Sequence, residues 1–260
     1  MGGVAVAAAW APRGELARLQ RFHPRLQNLY THLSVSLPKD AAPDVIAALR
    51  ALPNTSIVFY EGWSGRHLVV EDALKADVEY IQYIDMDRLI RWVETRPDEL
   101  AAVVQQVQTV DCLVLGRTPT AYATHPRPLV ETETLPNAAF SHWFGREMDF
   151  CAGSKGLSRA AAEYILARSK HDVALSMDIE WLVYVQRAGM TWDYREVDGL
   201  DWETADRHRD VAATAEQQAA LATKQANDPN EWALRVQVAR DILARGLAAI
   251  DADLAAVLHL

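Results

Sequence analysis

The stretch Tyr80-Ile81-Gln82-Tyr83-Ile84-Asp85-Met86-Asp87-Arg88 decides how this chain is read. Aromatic and β-branched residues dominate its first half, with no Gly or Pro, and predict a buried strand. The run ends on carboxylates at i and i+2. On a continuing strand Asp85 and Asp87 point to the same side. At the C-terminal end of a strand in an open α/β sheet, that side faces the ligand crevice. Adjacent carboxylates repel, and a proton or a hard divalent cation such as Mg²⁺ or Mn²⁺ relieves the repulsion. An Asp-x-Asp alone is weak, since a strand-end turn with solvated acids looks the same. The flanking chain has to decide.

Upstream, strand-like and helix-like stretches alternate. Val4 to Trp10, His32 to Leu37 and Thr55 to Tyr60 read as strands. Glu15 to Phe22, Ala42 to Leu52 and His67 to Ala76 read as the helices between them, the last after the turn Gly62-Trp63-Ser64-Gly65-Arg66. This order implies βαβ crossovers and a largely parallel sheet. Downstream, Arg88 to Val107 is helical with a break at Pro97. Val110 to Leu115 is a strand ending in Gly116-Arg117. Pro119 to Pro136 has little periodicity and several prolines, and reads as an irregular substrate loop or lid. Asn137 to Gly145 reads as a short helix and Met148 to Gly156 as a strand and turn. Ser158 caps a helix to Arg168. Met177 to Gln186 is a helix with Asp178 and Glu180 in its first turn, stopped by Gly189. Thr191 to Val197 is the last strand. After a polar, Ala- and Gln-rich stretch, Val236, Leu243, Ile250 and Val257 recur every seven residues in a long final helix. That seam reads equally as a docking face or as a dimerisation surface.

The whole composition agrees. Half of the 260 residues are hydrophobic, which suits one large α/β domain, or one domain with an appendage. A net charge of −9 argues against nonspecific nucleic-acid binding. Cys112 and Cys151 have no metal-ligand spacing and read as core thiols. The apolar stretch Gly2 to Ala11 lacks a preceding Lys or Arg and reads as a first strand, not a targeting signal. No run approaches the roughly 18 to 20 apolar residues of a membrane span. The expectation is a cytoplasmic protein, with peripheral contact to a membrane left open.

With these elements in order, the chain resembles nucleotide-sugar glycosyltransferases of the GT-A fold, closest to family 2 enzymes of the polyprenyl-phosphate sugar transferase kind. The resemblance covers about residues 3 to 205. Gly62 to Ala76 resembles the family's Gly-x-Gly/Arg segment. Val110-Asp111-Cys112-Leu113-Val114-Leu115-Gly116-Arg117 resembles its Asp-apolar-apolar-Gly-x-Arg strand. Asp149 to Arg159 resembles the segment with an acceptor-side Gly and Arg, and Asp178-Ile179-Glu180-Trp181 the late acidic helix. The chain departs at Leu37-Pro38-Lys39-Asp40, where the family has an acidic Asp-Asp-Gly-Ser turn that helps hold the donor base.

The resemblance implies an α/β, Rossmann-like GT-A domain over residues 1–205, with a mainly parallel central sheet flanked by helices. Residues 206–260 form a helical extension that docks or makes a homo-oligomer. It implies transfer of a sugar from a nucleotide-diphosphate donor, UDP- or GDP-linked, to an unidentified acceptor hydroxyl or phosphate, with Mn²⁺ or Mg²⁺. Asp87 becomes the direct metal ligand, and Asp85 holds ribose or a metal-bound water. Gly65, Arg66 and Arg117 lie on the donor or an acceptor phosphate. An inverting transfer needs a carboxylate to take the acceptor proton. Asp178 is the first candidate and Glu180 the second, although acids in a first helical turn also serve the helix dipole alone. A retaining transfer to a small acceptor instead makes His208 a third metal ligand. Trp202, Trp181 and Trp143 are candidates to stack on a sugar, against the commoner role of core packing. Two other classes compete. A nucleotidyltransferase would carry a Gly-rich basic turn where this chain has Ala11-Pro12-Arg13-Gly14. A non-catalytic nucleotide-sugar-binding module would assemble through the final helix.

Overall fold

The computed structural model describes residues 3–170, 177–202 and 214–251. Strands β1 (Val4–Ala9), β2 (His32–Pro38), β3 (Thr55–Tyr60), β4 (Tyr80–Asp85), β5 (Cys112–Arg117), β6 (Ser154–Ser158) and β7 (Trp192–Val197) form one sheet, in the order β3-β2-β1-β4-β6-β5-β7. Only β6 runs antiparallel, wedged between β4 and β5. The chain steps outward from β1 to β2 and β3, then returns to lay β4 on the other side of β1, with Ala9 beside Asp85. This reversal is the topological switch point where open α/β sheets bind ligands.

Side-chain alternation gives the sheet two cores. Val4, Val6, Ala8, Ile84, Leu113 and Leu115 pack under α1 (Leu16–Leu29), α2 (Pro43–Arg50), α4 (Met86–Thr95) and α5 (Pro97–Val107). Ala5, Ala7, Ile81, Tyr83, Val114 and Leu157 pack under α3 (Gly65–Ala73), α8 (Arg159–Leu166) and α9 (Met177–Arg187). Ala5, Ala7 and Ala8 of β1 are fully buried, which brings helices close to the central strand. α1 runs on through Pro24 to bury Leu26, beyond the expected end at Phe22.

The expected loop from Pro119 to Pro136 is helical instead. It forms α6 (Pro119–Tyr122) and most of α7 (Arg127–Phe144). Pro119 and Pro128 stand in first turns, where the missing N–H is not needed. Only Pro136 interrupts an interior, and α7 continues to a left-handed Gly145 with φ +68°. The apolar residues of α7 face the core only at intervals, which hid its period.

The C-terminal pair is α10 (Ala215–Ala226), started by a Thr214–Gln217 capping box, and α11 (Pro229–Ile250). α11 packs on α7 and α9. Its buried residues are Val238, Ala239, Ile242, Ala244, Gly246 and Ala249. The expected seam differs: Val236 is 57% exposed, Leu243 and Ile250 are partly buried, and Val257 lies outside the described residues. Small residues win because the helix axis sits close to its neighbours. A Cβ on Gly246 would stand 2.3 Å from the Phe140 ring. Arg187 of α9 donates to the carbonyl oxygens of Ala249 and Ile250, closing the end of α11. Among the described residues no helix is long and apolar enough to cross a membrane.

Candidate active site

A cleft of about 440 Å³ opens where β1 and β4 end. β4 stops at Asp85, and α4 begins at the next residue. Asp85 and Asp87 therefore do not share a strand face as expected: Asp85 is the extended N-cap residue and Asp87 lies in the first helical turn. Both still line the cleft. Asp85 makes no capping bond because its carboxylate is engaged elsewhere. It accepts the Tyr83 hydroxyl at 2.7 Å and the Arg66 guanidinium at 3.0 and 3.2 Å. Asp87 Oδ1 accepts the Arg88 N–H at 2.9 Å, and no described residue donates to its second oxygen.

Arg66 reaches this point from the first turn of α3 and also donates through Nε to the Tyr83 hydroxyl at 2.6 Å. Burial raises the Tyr83 phenol well above its ordinary range, with Asp85 reinforcing it against Arg66, so the group stays a donor. Gly65 serves packing: a Cβ there would stand 2.8 Å from the Tyr60 ring, which lines the same wall. Trp63, in the turn before α3, stands at the cleft mouth with 56% of its surface exposed. Its turn-forming neighbours marked the loop but not the ring's role as a rim.

Arg117 is in the cleft wall, but its donors face protein. It binds Asp149 through Nε (2.6 Å), Nη2 (2.8 Å) and its backbone N–H (3.0 Å), and binds Glu133 at 2.6 Å. Its expected role as a free phosphate ligand does not match this geometry. Asp149 is buried, yet Arg117 holds its carboxyl below the usual range. Glu133 receives the remaining attraction, and burial pushes its carboxyl up to about 7 against Arg117. His125 Nε2 lies 2.9 Å from the Leu200 carbonyl, which can only accept, so Nε2 carries the hydrogen. Nδ1 then accepts from Arg117 at 3.3 Å. Burial, with Arg117 and Arg88 nearby, depresses this imidazole to about 2, and it is neutral. Glu133 and His125 came from the stretch expected to be a loop, which offered no sign that they would meet.

α9 brings its first turn to the cleft. Asp178 lines it and is 1% exposed. Burial raises its carboxyl to about 6, against the pull of Lys155 and Arg66. Glu180, the second candidate base, points elsewhere. It is buried against Ser169 (2.5 Å), whose hydroxyl also meets His67 (2.7 Å) and the Trp181 indole (3.1 Å). Two residues along a helix is about 200° of rotation, so the two acids take opposite sides. Trp181 is core, and Trp143 lies outside the cleft on α7. Arg159 binds the carbonyl oxygens of Leu74, Ala76 and Val78 at the far end of β6.

Trp202 does reach the cleft, beside His125 at 5.4 Å and under the Arg88 guanidinium at 4.2 Å. Its loop is pinned by Asp201, which takes Arg91 bidentately at 2.6 and 2.8 Å and Arg96 at 3.3 Å. Asp201 went unnoticed in sequence because its partners lie on α4 and the α4–α5 junction. Arg235 and Leu234 of α11 complete the wall. His208 lies outside the described residues.

No family model and no curated protein matches the sequence. Solved structures do match in fold. A crystal structure described as a mycobacterial protein shares 14% identity over 95% of this chain and 74% of its own, with a TM-score of 0.59. Glucosyl-3-phosphoglycerate synthase from Mycobacterium tuberculosis, solved with Mn²⁺, uridine diphosphate and phosphoglyceric acid, shares 13% identity over 96% of this chain and 79% of its own, with a TM-score of 0.54. The chain has the GT-A fold.

Proposed function

We propose that this chain is a glycosyltransferase that takes a sugar from a nucleotide-diphosphate donor, with Mn²⁺ or Mg²⁺, and inverts the anomeric centre. The observation that carries the reading is the meeting of Asp85, Asp87, Arg66 and Asp178 in one cleft at the switch point of a GT-A sheet. The fold neighbour solved with Mn²⁺ and uridine diphosphate supports the donor class.

The donor set suits a hard divalent ion. Asp87 offers an open carboxylate oxygen, and Asp85 adds its solvent-facing edge, its side chain being 34% exposed. No group of three or more acidic, His or Cys ligands is present among the described residues. Diphosphate oxygens and water would have to complete the shell of such an ion, the usual habit of Mg²⁺ at phosphate sites. When bound, such an ion stabilises the charge that develops on the departing diphosphate.

The chain's own groups supply the rest. Arg66 adds positive charge beside Asp85, and among the described residues the Arg88 guanidinium donates to one acceptor, the Asp201 carbonyl at 2.9 Å, leaving donors for an anion. Trp63 at the mouth and Trp202 within give flat faces for a base or sugar. Asp178 takes the acceptor proton as the acceptor oxygen bonds to the anomeric carbon. The bond to the diphosphate oxygen breaks with its electron pair on the leaving group. A carboxyl at about 6 is mostly ionised at neutral pH and still basic enough to accept.

The test is a calorimetric screen of UDP-, GDP-, ADP- and dTDP-sugars with and without Mn²⁺. One donor should bind only with the ion, and Asp87→Ala should lose that dependence while staying folded. Binding to none of them would overturn the reading.

A further inference from the structure

Lys155 is the least explained charge among the described residues. It is 0% exposed, in the middle of the sheet, where β6 pairs it with Tyr83 on one side and Val114 on the other. That register directs it to the face covered by α9. Its ammonium has no hydrogen-bond partner among the described residues. The nearest acid is Asp178, whose Oδ1 lies 3.9 Å away and also lacks a partner. Burying an ammonium without hydrogen bonds is costly, and a purely structural pair would close to contact and satisfy its remaining donors. Here the carboxylate keeps an unclaimed oxygen in a residue that lines the cleft.

We propose that Lys155 is the positioning residue for Asp178, its buried ammonium holding the carboxylate ionised and aimed into the cleft until the acceptor proton arrives. The assignment deepens the proposed transferase and rests on Asp178 as its proton acceptor. The other groups that act on Asp178 are Arg66, Arg117, Asp85, Tyr83, Glu133 and Cys151. Arg66 is committed to Asp85, and Arg117 to Asp149 and Glu133. Among these cations, within the described residues, Lys155 alone has no second carboxylate. Asp85 and Glu133 favour protonation of Asp178, as burial does, so removing Lys155 leaves Arg66 and Arg117 as shared, weaker opposition. The downward pull on the Asp178 carboxyl is attributed first to Lys155, which agrees with the geometry.

The experiment is Lys155→Met in the full chain, read by the pH profile of kcat/KM and by carboxyl ¹³C NMR titration of Asp178. The acid limb and the NMR midpoint should both rise by about one unit or more. Activity should drop roughly fivefold near pH 6 and recover at higher pH, with the donor KM unchanged. A loss that is the same at every pH, with the Asp178 midpoint unmoved, would overturn the proposal. Should Lys155→Met not fold, Lys155→Gln takes its place in the same two readouts, with the same expected and overturning results. Asp178→Asn separates the two claims: if it keeps full transferase activity while the Asp178 midpoint moves in the Lys155 variant, Asp178 is not the proton acceptor, yet the pair is coupled as described.

Discussion

Arg66 grips Asp85 through both carboxylate oxygens, at 3.2 and 3.0 Å, so the first acid of the pair meets the cleft already carrying a cation. Asp87 does not, since its protein donor is its neighbour's backbone N–H. The two acids should therefore fail differently. Asp85→Asn weakens a charged hydrogen-bond cluster and should lower stability by about 1–3 kcal/mol in denaturant melts. Asp87→Asn should leave the melt near that of the parent and abolish the Mn²⁺-dependent part of nucleotide binding in calorimetry. Equal effects of both variants on both readouts would contradict this division.

The shortage of protein ligands leads to an order of binding. With Asp87 and the edge of Asp85 as the described donors, Mn²⁺ alone should bind weakly, and nucleoside diphosphate should tighten it by completing its shell. Titration of Mn²⁺ by electron paramagnetic resonance, with and without uridine diphosphate, measures this directly. A gain of about tenfold or more is expected. Equal affinity in both titrations would mean that residues outside the described ones complete the site by themselves.

Glu133 gives a pH dependence of stability. Burial, opposed by Arg117, lifts its carboxyl to about 7, above the ordinary value near 4.3. The folded state thus holds a proton that the unfolded chain has released, and stability falls as pH rises from about 4.3 to about 7. Asp178, raised to about 6, adds a slope of the same sign over the lower part of that window. Glu133→Gln cannot ionise, so urea melts across the window should show a shallower decline than the parent. The difference between the slopes should be on the order of 1–3 kcal/mol. Parallel curves would show that Glu133 is ionised throughout.

The alternation of strands and helices up to β5 was legible because its strands are short apolar runs and its helices carry a period near 3.6. Asp85 was legible as a crevice residue for the same reason. What periodicity does not encode is where a strand turns into a helix. The reading that put Asp85 and Asp87 on one face assumed that β4 continued, while the chain changes conformation at Met86. Arg117 was visible as a charge after a strand, but its owners, Glu133 and Asp149, lie across α7 and the turn before β6. Helical rotation alone says that Asp178 and Glu180 cannot share the cleft; the packing of α9 decides that Asp178 is the one that faces it. Prolines misled at 119–136, because their number suggested a loop while their positions suited helix starts.

α11 offers a prediction in which two physical effects have opposite signs. Gly246 lies inside a helix, where Gly→Ala ordinarily stabilises by about 1 kcal/mol. Here the added Cβ would stand 2.3 Å from Phe140 on α7 and 2.8 Å from Ile179 on α9. Phe140 and Ile179 are buried, so neither ring nor methyl can swing aside into solvent. The clash should win, and Gly246→Ala should destabilise by about 1–3 kcal/mol in denaturant melts. Because Leu234, Arg235 and Val238 of the same helix line the cleft, displacement of α11 should also weaken substrate binding. The control is Ala233→Gly, at an exposed position near the start of α11, where the propensity loss should act without a clash being relieved. A more stable Gly246→Ala would show that α11 can withdraw from α7 and α9 at little cost, contrary to the close packing of its small-residue face.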